Sequence, residues 1–355
     1  MESLRATFEV VTPVFCAGAD QKGPSAIRPM SLRGALRFWY RALDGTFREN
    51  EKTHFGAAAA EKNTASPITL RIGEVKLRAD RNMKQDYGGK PPHYFGYFLY
   101  AGSNERLAML PEPSPDKNRF VVQLDARWPL PDLDRTRRAW AAALWLFGHL
   151  GGLGARSRRA FGTLALIDWP ESWEGIRLPR PAHGATTPQQ WIDAFTDGLK
   201  SLREWFPDVA AQGHEHQAID DRFGLFLLPR GLESDDKAID EAASVLSSVR
   251  SMCPDNDFNW HAELSALGLP RSFQHPKEQA KTRGTGDRSA SRIHIRVVRI
   301  GRSFHPLFAY LRAPLVPDGA TVALDGHPVN PGTEALSALL DVLKERDAIE
   351  AGTPQ

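Results

Sequence analysis

The segment from Gly151 to Gly162 combines glycine and arginine in a pattern typical of anion binding. It reads GGLGARSRRAFG and contains no acidic residue. Glycine tolerates positive φ angles and lets a ligand approach the backbone, whose successive N–H groups can surround phosphate oxygens. Arginine donates several hydrogen bonds to phosphate and stacks on bases. We therefore predict that this segment, the glycine loop, binds an anion through Gly152, Gly154, Arg156, Arg158 and Arg159.

The position of the glycine loop argues against the common nucleotide-binding enzymes. An apolar helix is predicted over 136–149 and a buried strand over 163–167, so the loop joins a helix to a strand. Walker loops and dinucleotide-binding loops follow a strand and open a helix, which places phosphate at the helix N-terminus. The chain also lacks a Gly-Lys-Ser or Gly-Lys-Thr triplet. An ATPase or a dehydrogenase is therefore disfavoured, and the structural alternative is a helix-capping glycine followed by a solvated basic turn.

A stripe of arginines lies on the helix predicted over 32–43, with Ser31 as its expected N-cap. Arg33, Arg37 and Arg41 recur every four residues on one face, and Arg28 lies just upstream. Stacked like charges repel by a few tenths of a kcal/mol per pair, and the helix contains no acid to offset them. An anionic partner would relieve this repulsion. The alternatives are a solvated face or ion pairs with acids elsewhere in the fold.

A second basic region extends from Arg271 to Arg302. Its first part is polar and glycine-bearing, and we expect it to be flexible until it meets a partner. Phosphate contacts need charge more than fixed geometry, so this region is a candidate RNA contact, with a merely solvated loop as the alternative. The candidate residues are Arg283, Arg288 and Arg292.

The composition is that of a globular protein without a metal or disulfide framework. At 355 residues the chain can form two domains of common size. A net charge of only +2 does not identify a nucleic-acid binder, so the distribution of charge must do so. Cys16 and Cys253 are far apart, which excludes a thiolate zinc site, and we expect no cofactor. Because no signal sequence or membrane-spanning apolar run is visible, we expect a soluble cytoplasmic protein.

The order of predicted elements indicates an α+β protein with two ferredoxin-like domains. The first domain, residues 1–170, has the order strand, helix, strand, strand or hairpin, helix, strand. The segments are 4–16, 32–43, 67–78 with a bulge at Gly73, the pair 94–100 and 119–125, then 136–149 and 163–167. Its open sheet face is a candidate RNA platform, although the aromatic residues of 94–100 fit a core equally well. A proline-rich linker over 171–188 precedes a less regular second domain, residues 189–355. That domain is predicted from helices 189–206, 235–251 and 333–349 and strands 223–229, 293–300 and 304–312.

Four segments together resemble the RAMP superfamily, and within it the first subunits of the Cmr complex, the RNA-guided type III-B CRISPR effector. They are residues 11–21, 27–43, 150–164 and 291–301. The resemblance implies two ferredoxin-like RAMP domains, the second degenerate, with a glycine-rich loop after the second helix of the first. It also implies a non-catalytic RNA-binding subunit for antiviral defence, at the head of the assembly near the 3′ end of the guide RNA, beside other RAMP subunits. Whether target RNA is bound as well is left open. The RNA contacts carried over are Arg28, Arg33, Arg37, Arg41 and the five glycine-loop residues.

The histidines raise a catalytic alternative, because some RAMP relatives cut RNA with a histidine. His149 immediately precedes the glycine loop, and His54 lies upstream. A general acid or base needs a positioned partner, and no histidine has a spacing that indicates one. His214 and His216 lack further ligands nearby, so no metal site is predicted. The alternative hypothesis is a RAMP endoribonuclease that processes the guide RNA precursor.

Overall fold

The computed structural model describes most of the chain, and the fold is built from the residues in these ranges: 3–17, 25–57, 63–76, 81–82, 95, 107–109, 118–127, 132–208, 216–252, 258–268, 271–272, 279–283, 290–314, 321–324, 327–330 and 332–351. The helices are α1 (Pro29–Leu43), α2 (Phe47–Phe55), α3 (Leu133–Leu150), α4 (Pro188–Trp205), α5 (Asp235–Ser251), α6 (Phe258–Leu264) and α7 (Glu334–Glu345). The strands are β1 (Leu4–Val10), β2 (Ile68–Lys76), β3 (Arg81–Asn82), β4 (Leu107–Ala108), β5 (Arg119–Ala126), β6 (Leu164–Asp168), β7 (Ser172–Trp173), β8 (Ile176–Arg177), β9 (Gly224–Leu227), β10 (Arg271–Ser272), β11 (Gln279–Arg283), β12 (Ile293–Ile300), β13 (Ser303–Tyr310), β14 (Thr321–Leu324), β15 (His327–Val329) and β16 (Ile349–Glu350).

The first antiparallel sheet has the strand order β2-β5-β1-β6. Alternation along its strands explains how it packs, because successive side chains of a strand point to opposite faces. Phe8 of β1 pairs with Phe120 of β5, and their rings stack with centroids 5.5 Å apart in the core. Three residues along the same strands, Arg5 pairs with Gln123 on the opposite, more exposed face. The apolar face therefore packs into the core that also contains α1 and α3.

The second main sheet repeats this arrangement. Its strand order is β12-β13-β9-β16, with α5 between β9 and β12 and α7 between β13 and β16. Numbered within each half, the four strands have the same order, 2-3-1-4, and both halves run strand, helix, strand, strand, helix, strand. The chain is therefore a mixed α/β protein whose two halves share one topology. A further sheet, β10-β11-β14-β15, is inserted in the second half.

Most predicted elements are present, with informative differences at their ends. Helix α1 begins at Pro29 with Arg28 as N-cap, so Ser31 is not the cap; proline favours the first helical position because its missing N–H is not needed there. Strand β1 ends at Val10, short of the predicted residue 16. The register of β2 shifts after Gly73, which confirms the predicted bulge. The predicted strand over 94–100 lies outside the described residues, except for Phe95, which is helical.

The proline-rich segment between the predicted domains is packed against the first half. It contains the β7–β8 hairpin, in which Trp173 is buried, and Trp145 Nε1 of α3 donates to the carbonyl of Arg180 at 3.1 Å. Phe195 of α4 stacks on Trp145 with centroids 5.3 Å apart. Helix α4 therefore contributes to the first core, and the division of the chain into two domains stays a prediction. In the described part of the chain, no helix is long and apolar enough to cross a bilayer.

Two glycines in helix interiors differ in their surroundings and give a test of the packing of α3 on β6. A Cβ at Gly148 would overlap Cβ of Leu166, whereas Gly34 of α1 has open space around it. We expect Gly148→Ala to lower the free energy of unfolding by about 1–3 kcal/mol through overpacking. The matched change Gly34→Ala should raise it by up to about 1 kcal/mol, since alanine is the better helix former. Urea unfolding midpoints measure both; equal effects of the two changes would contradict the packing described.

Candidate nucleic-acid interface

The glycine loop is attached to the segment that follows β1. The amide of Ala155 donates to the carbonyl of Phe15 at 2.9 Å, and that of Gly162 donates to the carbonyl of Pro13 at 2.7 Å. Gly154 and Gly162 have φ angles of +86° and +66°. A Cβ at Gly154 would fall on the carbonyl oxygen of Phe15. These two glycines are therefore required for the approach of the loop to its own chain.

The second part of the glycine loop pairs with the edge strand of the second sheet. Arg159 forms a parallel bridge with Ile295 of β12. The amide of Ala160 donates to the carbonyl of Ile295 at 2.9 Å, and the amide of Ile295 donates to the carbonyl of Arg158 at 3.3 Å. The loop thus covers the edge of β12 and joins the two halves of the molecule.

The Arg159 side chain reinforces this junction. Its guanidinium donates to the carbonyls of Arg158 at 3.1 Å, Ile293 at 3.2 Å and Leu267 at 3.1 Å, and to Oγ of Ser291 at 3.2 Å. Four acceptors from its own chain surround one cation. Arg159, predicted from sequence to contact RNA, has a structural role that its position in the loop did not indicate.

Arg158 brings the glycine loop against α1. Its guanidinium lies over the Phe38 ring, 5.1 Å from the centroid, and donates to the carbonyl of Ser291 at 3.1 Å. Burial lowers the pKa of Arg158 to about 10, so the group stays charged at neutral pH. The glycine loop and α1 are therefore in contact through Arg158 and Phe38.

The arginine stripe of α1 faces α2 instead of the loop. Arg41 makes a bidentate ion pair with Glu51 at 2.6 and 2.8 Å, and Arg37 Nε donates to the same carboxylate. Glu51 thus offsets the repulsion between the arginines of the stripe. It lies on α2, a helix whose sequence shows no apolar periodicity. Burial opposes ionisation of Glu51, but the hydrogen bonds from Arg41 and Arg37 prevail and lower its pKa.

The stripe nevertheless carries more positive than negative charge. Arg33 donates to the carbonyl of Phe55, an uncharged acceptor, and its pKa is lowered by burial and by the nearby Arg37 and Arg127. Side chains of Arg37 and Arg41 keep 31% and 35% of their surface exposed, enough to meet a ligand. We name Arg33, Arg37, Arg41 and Arg127 the helix-pair patch. This patch contains four arginines, and among the described ion pairs of Arg37 and Arg41 the carboxylate partner is Glu51.

A second cationic surface lies at the N-terminus of α1. Arg28 is exposed and donates to the carbonyl of Ala17 at 2.5 Å, while the exposed Gly154 lies against Phe15. Both therefore border the segment 15–17, and the exposed Arg156 follows Gly154 by two residues. The first turn of α1 has no acidic residue and no side-chain cap, which leaves its positive end uncompensated. We name Arg28, Gly154 and Arg156 the loop-rim patch.

The remaining predicted contacts are only partly placed. The side chains of Arg283 and Arg288 lie outside the described part of the structure. Arg292 donates to the carbonyls of Ala313 at 3.3 Å and Ala266 at 3.2 Å, so it supports the second half of the fold. Gly152 forms a bridge with Thr163 across the base of the glycine loop.

The two histidines considered for catalysis are buried and fixed. His149 stacks on Trp145 with centroids 3.9 Å apart; its Nδ1 lies 2.7 Å from the carbonyl of Trp145, and its Nε2 accepts from the amide of Ala182 at 2.9 Å. His54 Nδ1 lies 2.8 Å from Oγ1 of Thr136. Burial lowers their pKa values, to about 3 for His149 and about 4 for His54. Within the described ranges no histidine, cysteine or acidic cluster is arranged to hold a metal.

Comparison with known proteins agrees with this architecture. Residues 7–165 match the model of the RAMP superfamily. More narrowly, the chain is similar to the CRISPR system Cmr subunits Cmr1-2 and Cmr1-1 of Pyrococcus furiosus. The match to Cmr1-2 is 26% identical over 172 residues and covers 44% of this chain and 90% of the relative. The match to Cmr1-1 is 26% identical over 193 residues and covers 50% of this chain and 49% of the relative. The resemblance predicted from sequence is thereby confirmed.

Solved structures show the same fold over nearly the whole chain. The apo crystal structure of Cmr1 from Pyrococcus furiosus superposes with a TM-score of 0.64 at 16% identity, covering 100% of both chains. A chain in the cryo-EM structure of the Type III-B Cmr-beta complex bound to cognate target RNA superposes with a TM-score of 0.58 at 11% identity, covering 98% of this chain and 100% of that one. At these identities the likeness establishes the fold.

The contrast between Arg159 and Arg156 gives a test of the junction. Arg159→Met leaves carbonyls at the junction without a hydrogen-bond donor. Each buried group left unpaired costs about 1–3 kcal/mol, so we expect the free energy of unfolding to fall by at least about 2 kcal/mol. The matched change Arg156→Met, at an exposed position three residues earlier, should cost less than half as much. Guanidinium unfolding measures both variants. Equal losses would show that the Arg159 hydrogen bonds do not hold the two halves together.

The buried His149 predicts a pH dependence of stability. Its pKa in the folded protein, about 3, lies below the ordinary value of about 6.5, so the unfolded state binds more protons between these values. Stability should therefore fall as the pH decreases from about 6.5 towards 4, with a slope from this residue near 1.4 kcal/mol per pH unit. His149→Gln should make the measured slope shallower over that window. An unchanged slope would mean that His149 is protonated in the folded state.

Proposed function

We propose that the protein is a non-catalytic RNA-binding subunit of an RNA-guided type III-B CRISPR effector complex acting in antiviral defence. Its place is at the head of the assembly, near the 3′ end of the guide RNA. The names of its relatives as Cmr subunits support this proposal, as does its fold, shared with a chain of an RNA-bound Cmr complex. In this proposal each half is a ferredoxin-like RAMP domain, residues 1–170 and 189–355, joined by residues 171–188, and the identical strand order of the two sheets supports it.

The proposal rests mainly on two cationic patches that lie beside one helix, α1. The helix-pair patch lies on the α2 side of α1, and the loop-rim patch lies at its N-terminus beside the glycine loop. Phosphate contacts of this kind fix an RNA strand in register without reading its bases. In an RNA-guided complex, pairing between guide and target supplies the sequence choice, so the protein needs only to recognise backbone and shape.

The partners follow from this role. Guide RNA binds the cationic patches, and other RAMP subunits pack beside the chain in the assembly, with target RNA as a further ligand. No cofactor is required, and the cytoplasm is the expected compartment. Arg283, Arg288 and Arg292 remain proposed RNA contacts from the second half, of which Arg292 also supports the fold through its bonds to Ala313 and Ala266.

The endoribonuclease alternative finds no support at His149 or His54. Both ring nitrogens of His149 have partners within the chain, and its pKa of about 3 leaves it neutral at physiological pH. His54 is buried beneath α1 and α3, where it contacts Tyr40 and Thr136. A general acid or base works best with a pKa near the operating pH and within reach of the 2′-hydroxyl, and neither residue meets these conditions.

Charge reversal in the loop-rim patch tests RNA binding. The double variant Arg28→Glu and Arg156→Glu should bind guide RNA at least about tenfold more weakly, since each charge-assisted bond that is removed is worth about 1.5 kcal/mol or more. The dependence of log affinity on log salt should become shallower by about 0.7–0.9 for each phosphate that the variant no longer binds. Filter binding at several salt concentrations measures both quantities. Arg230→Glu, an exposed change in the second half, is the matched control.

The same experiment separates the alternatives. If the double variant and the control behave alike with an unchanged salt slope, the loop-rim patch is a protein interface and not an RNA contact.

Labelled repeat RNA should be recovered intact after incubation with the chain. Metal-independent cleavage that disappears in His149→Ala or His54→Ala would establish the endoribonuclease instead.

A further inference from the structure

A small cavity lies at the junction of the two halves, away from both cationic patches. It measures about 20 Å³ and is bounded by the end of α3, by β6, by β12 and by the start of α4. Holding one water takes roughly 10–15 Å³ of such space. The cavity therefore accommodates a single atom or a molecule of that size. The exposed His183 also lines it, so the cavity borders solvent on that side.

Arg296 of β12 is buried in the wall of this cavity. Only 2% of the residue is exposed. Its Nη2 donates to the carbonyl of Leu164 and lies 3.5 Å from that of Gly148. Its Nε and Nη1 are also buried, and among the residues that the structure describes they have no hydrogen-bond partner. A buried guanidinium with two unmet donors is costly unless something else pairs with it.

The ionisable residues that line the cavity are all basic. The ionisable residues among those described in its lining are Arg296, Arg299, His149 and His183. Arg299 is satisfied, because it makes a bidentate ion pair with Glu9 at 3.0 and 2.7 Å. His149 is neutral, and both of its ring nitrogens have hydrogen-bond partners within the chain. Burial lowers the pKa of Arg296 to about 9, which still leaves it a cation at neutral pH. Arg296 is thus a buried cation without a carboxylate partner in the described lining.

We propose that this cavity is a binding site for a single monatomic anion, chloride under physiological conditions, that accepts a hydrogen bond from Arg296. Nε and Nη1 lie on different edges of the planar guanidinium, so the ion accepts from one of these two unmet donors. The charge of Arg296 favours an anion over a neutral water. The small size of the cavity favours a monatomic ion over phosphate and sulfate. Since the walls come from β6 of the first half and β12 of the second, the bound ion stabilises the junction between them.

Thermal and chemical unfolding of the full chain test the site. Stability is compared in potassium chloride or bromide and in potassium glutamate at equal ionic strength, because glutamate is too large for the cavity. We expect chloride and bromide to stabilise the protein specifically. Above the dissociation constant, each tenfold increase in halide should raise the ratio of folded to unfolded protein about tenfold. Arg296→Met should abolish this response.

A matched variant and a crystallographic measurement complete the experiment. Arg203→Met removes another partly buried arginine, which donates to the carbonyl of Leu43 at 2.9 Å far from the cavity, and should retain the halide response. Crystals grown in bromide should show an anomalous peak within hydrogen-bond distance of Arg296. Equal stability in halide and glutamate, or a water in place of the peak, would overturn the proposal. If Arg296→Met does not fold, the halide titration of the unaltered chain and the bromide peak decide the question.

Discussion

The structure depends on the pairing of Arg158–Ala160 with the edge of β12. An unpaired edge strand presents free N–H and C=O groups to solvent and to other chains. Here the glycine loop covers that edge, and Arg159 donates to the carbonyls of Ile293 and Leu267 and to Oγ of Ser291. The positive φ angles of Gly154 and Gly162 allow the loop to reach β12 while lying against residues 13–16. Much of the unusual composition of this loop therefore serves to join the two halves.

Strand β12 belongs to both cores, and this explains its sequence. Ile293, Ile295 and Val297 pack into the second core, whereas Val298 and Ile300 pack into the first. His294 faces the first half as well, where its ring lies 5.6 Å from that of Phe38 and 5.4 Å from that of Trp39. A strand buried on both faces normally reads as a continuous apolar run. The polar residues of β12 contact the first half: His294 packs on Phe38 and Trp39, Arg299 pairs with Glu9, and Arg296 donates to the carbonyl of Leu164.

Local patterns predicted the elements far better than they predicted the partners of charged residues. The predicted bounds of α5, 235–251, and of β12, 293–300, agree with the structure because both have strong periodicity and clear flanking residues. Helix α2, FRENEKTHF, is too polar to show an apolar face, so the Glu51 that pairs with the stripe on α1 was missed. Within the glycine loop, Arg156 and Arg159 are alike in type and setting. Only tertiary structure separates the exposed one from the one that joins the halves.

A structural role for an arginine does not remove it from the electrostatics of the proposed RNA binding. Arg158 and Arg296 keep pKa values of about 10 and 9, so both remain cations at neutral pH although burial disfavours their charge. Charges in a low-dielectric setting are less screened than those in water and act over longer distances. With a net charge of only +2 on the whole chain, a polyanion is attracted by where cations are concentrated. Arg158 and Arg159 lie within three residues of Arg156, so the junction that fixes the fold also concentrates positive charge beside the loop-rim patch.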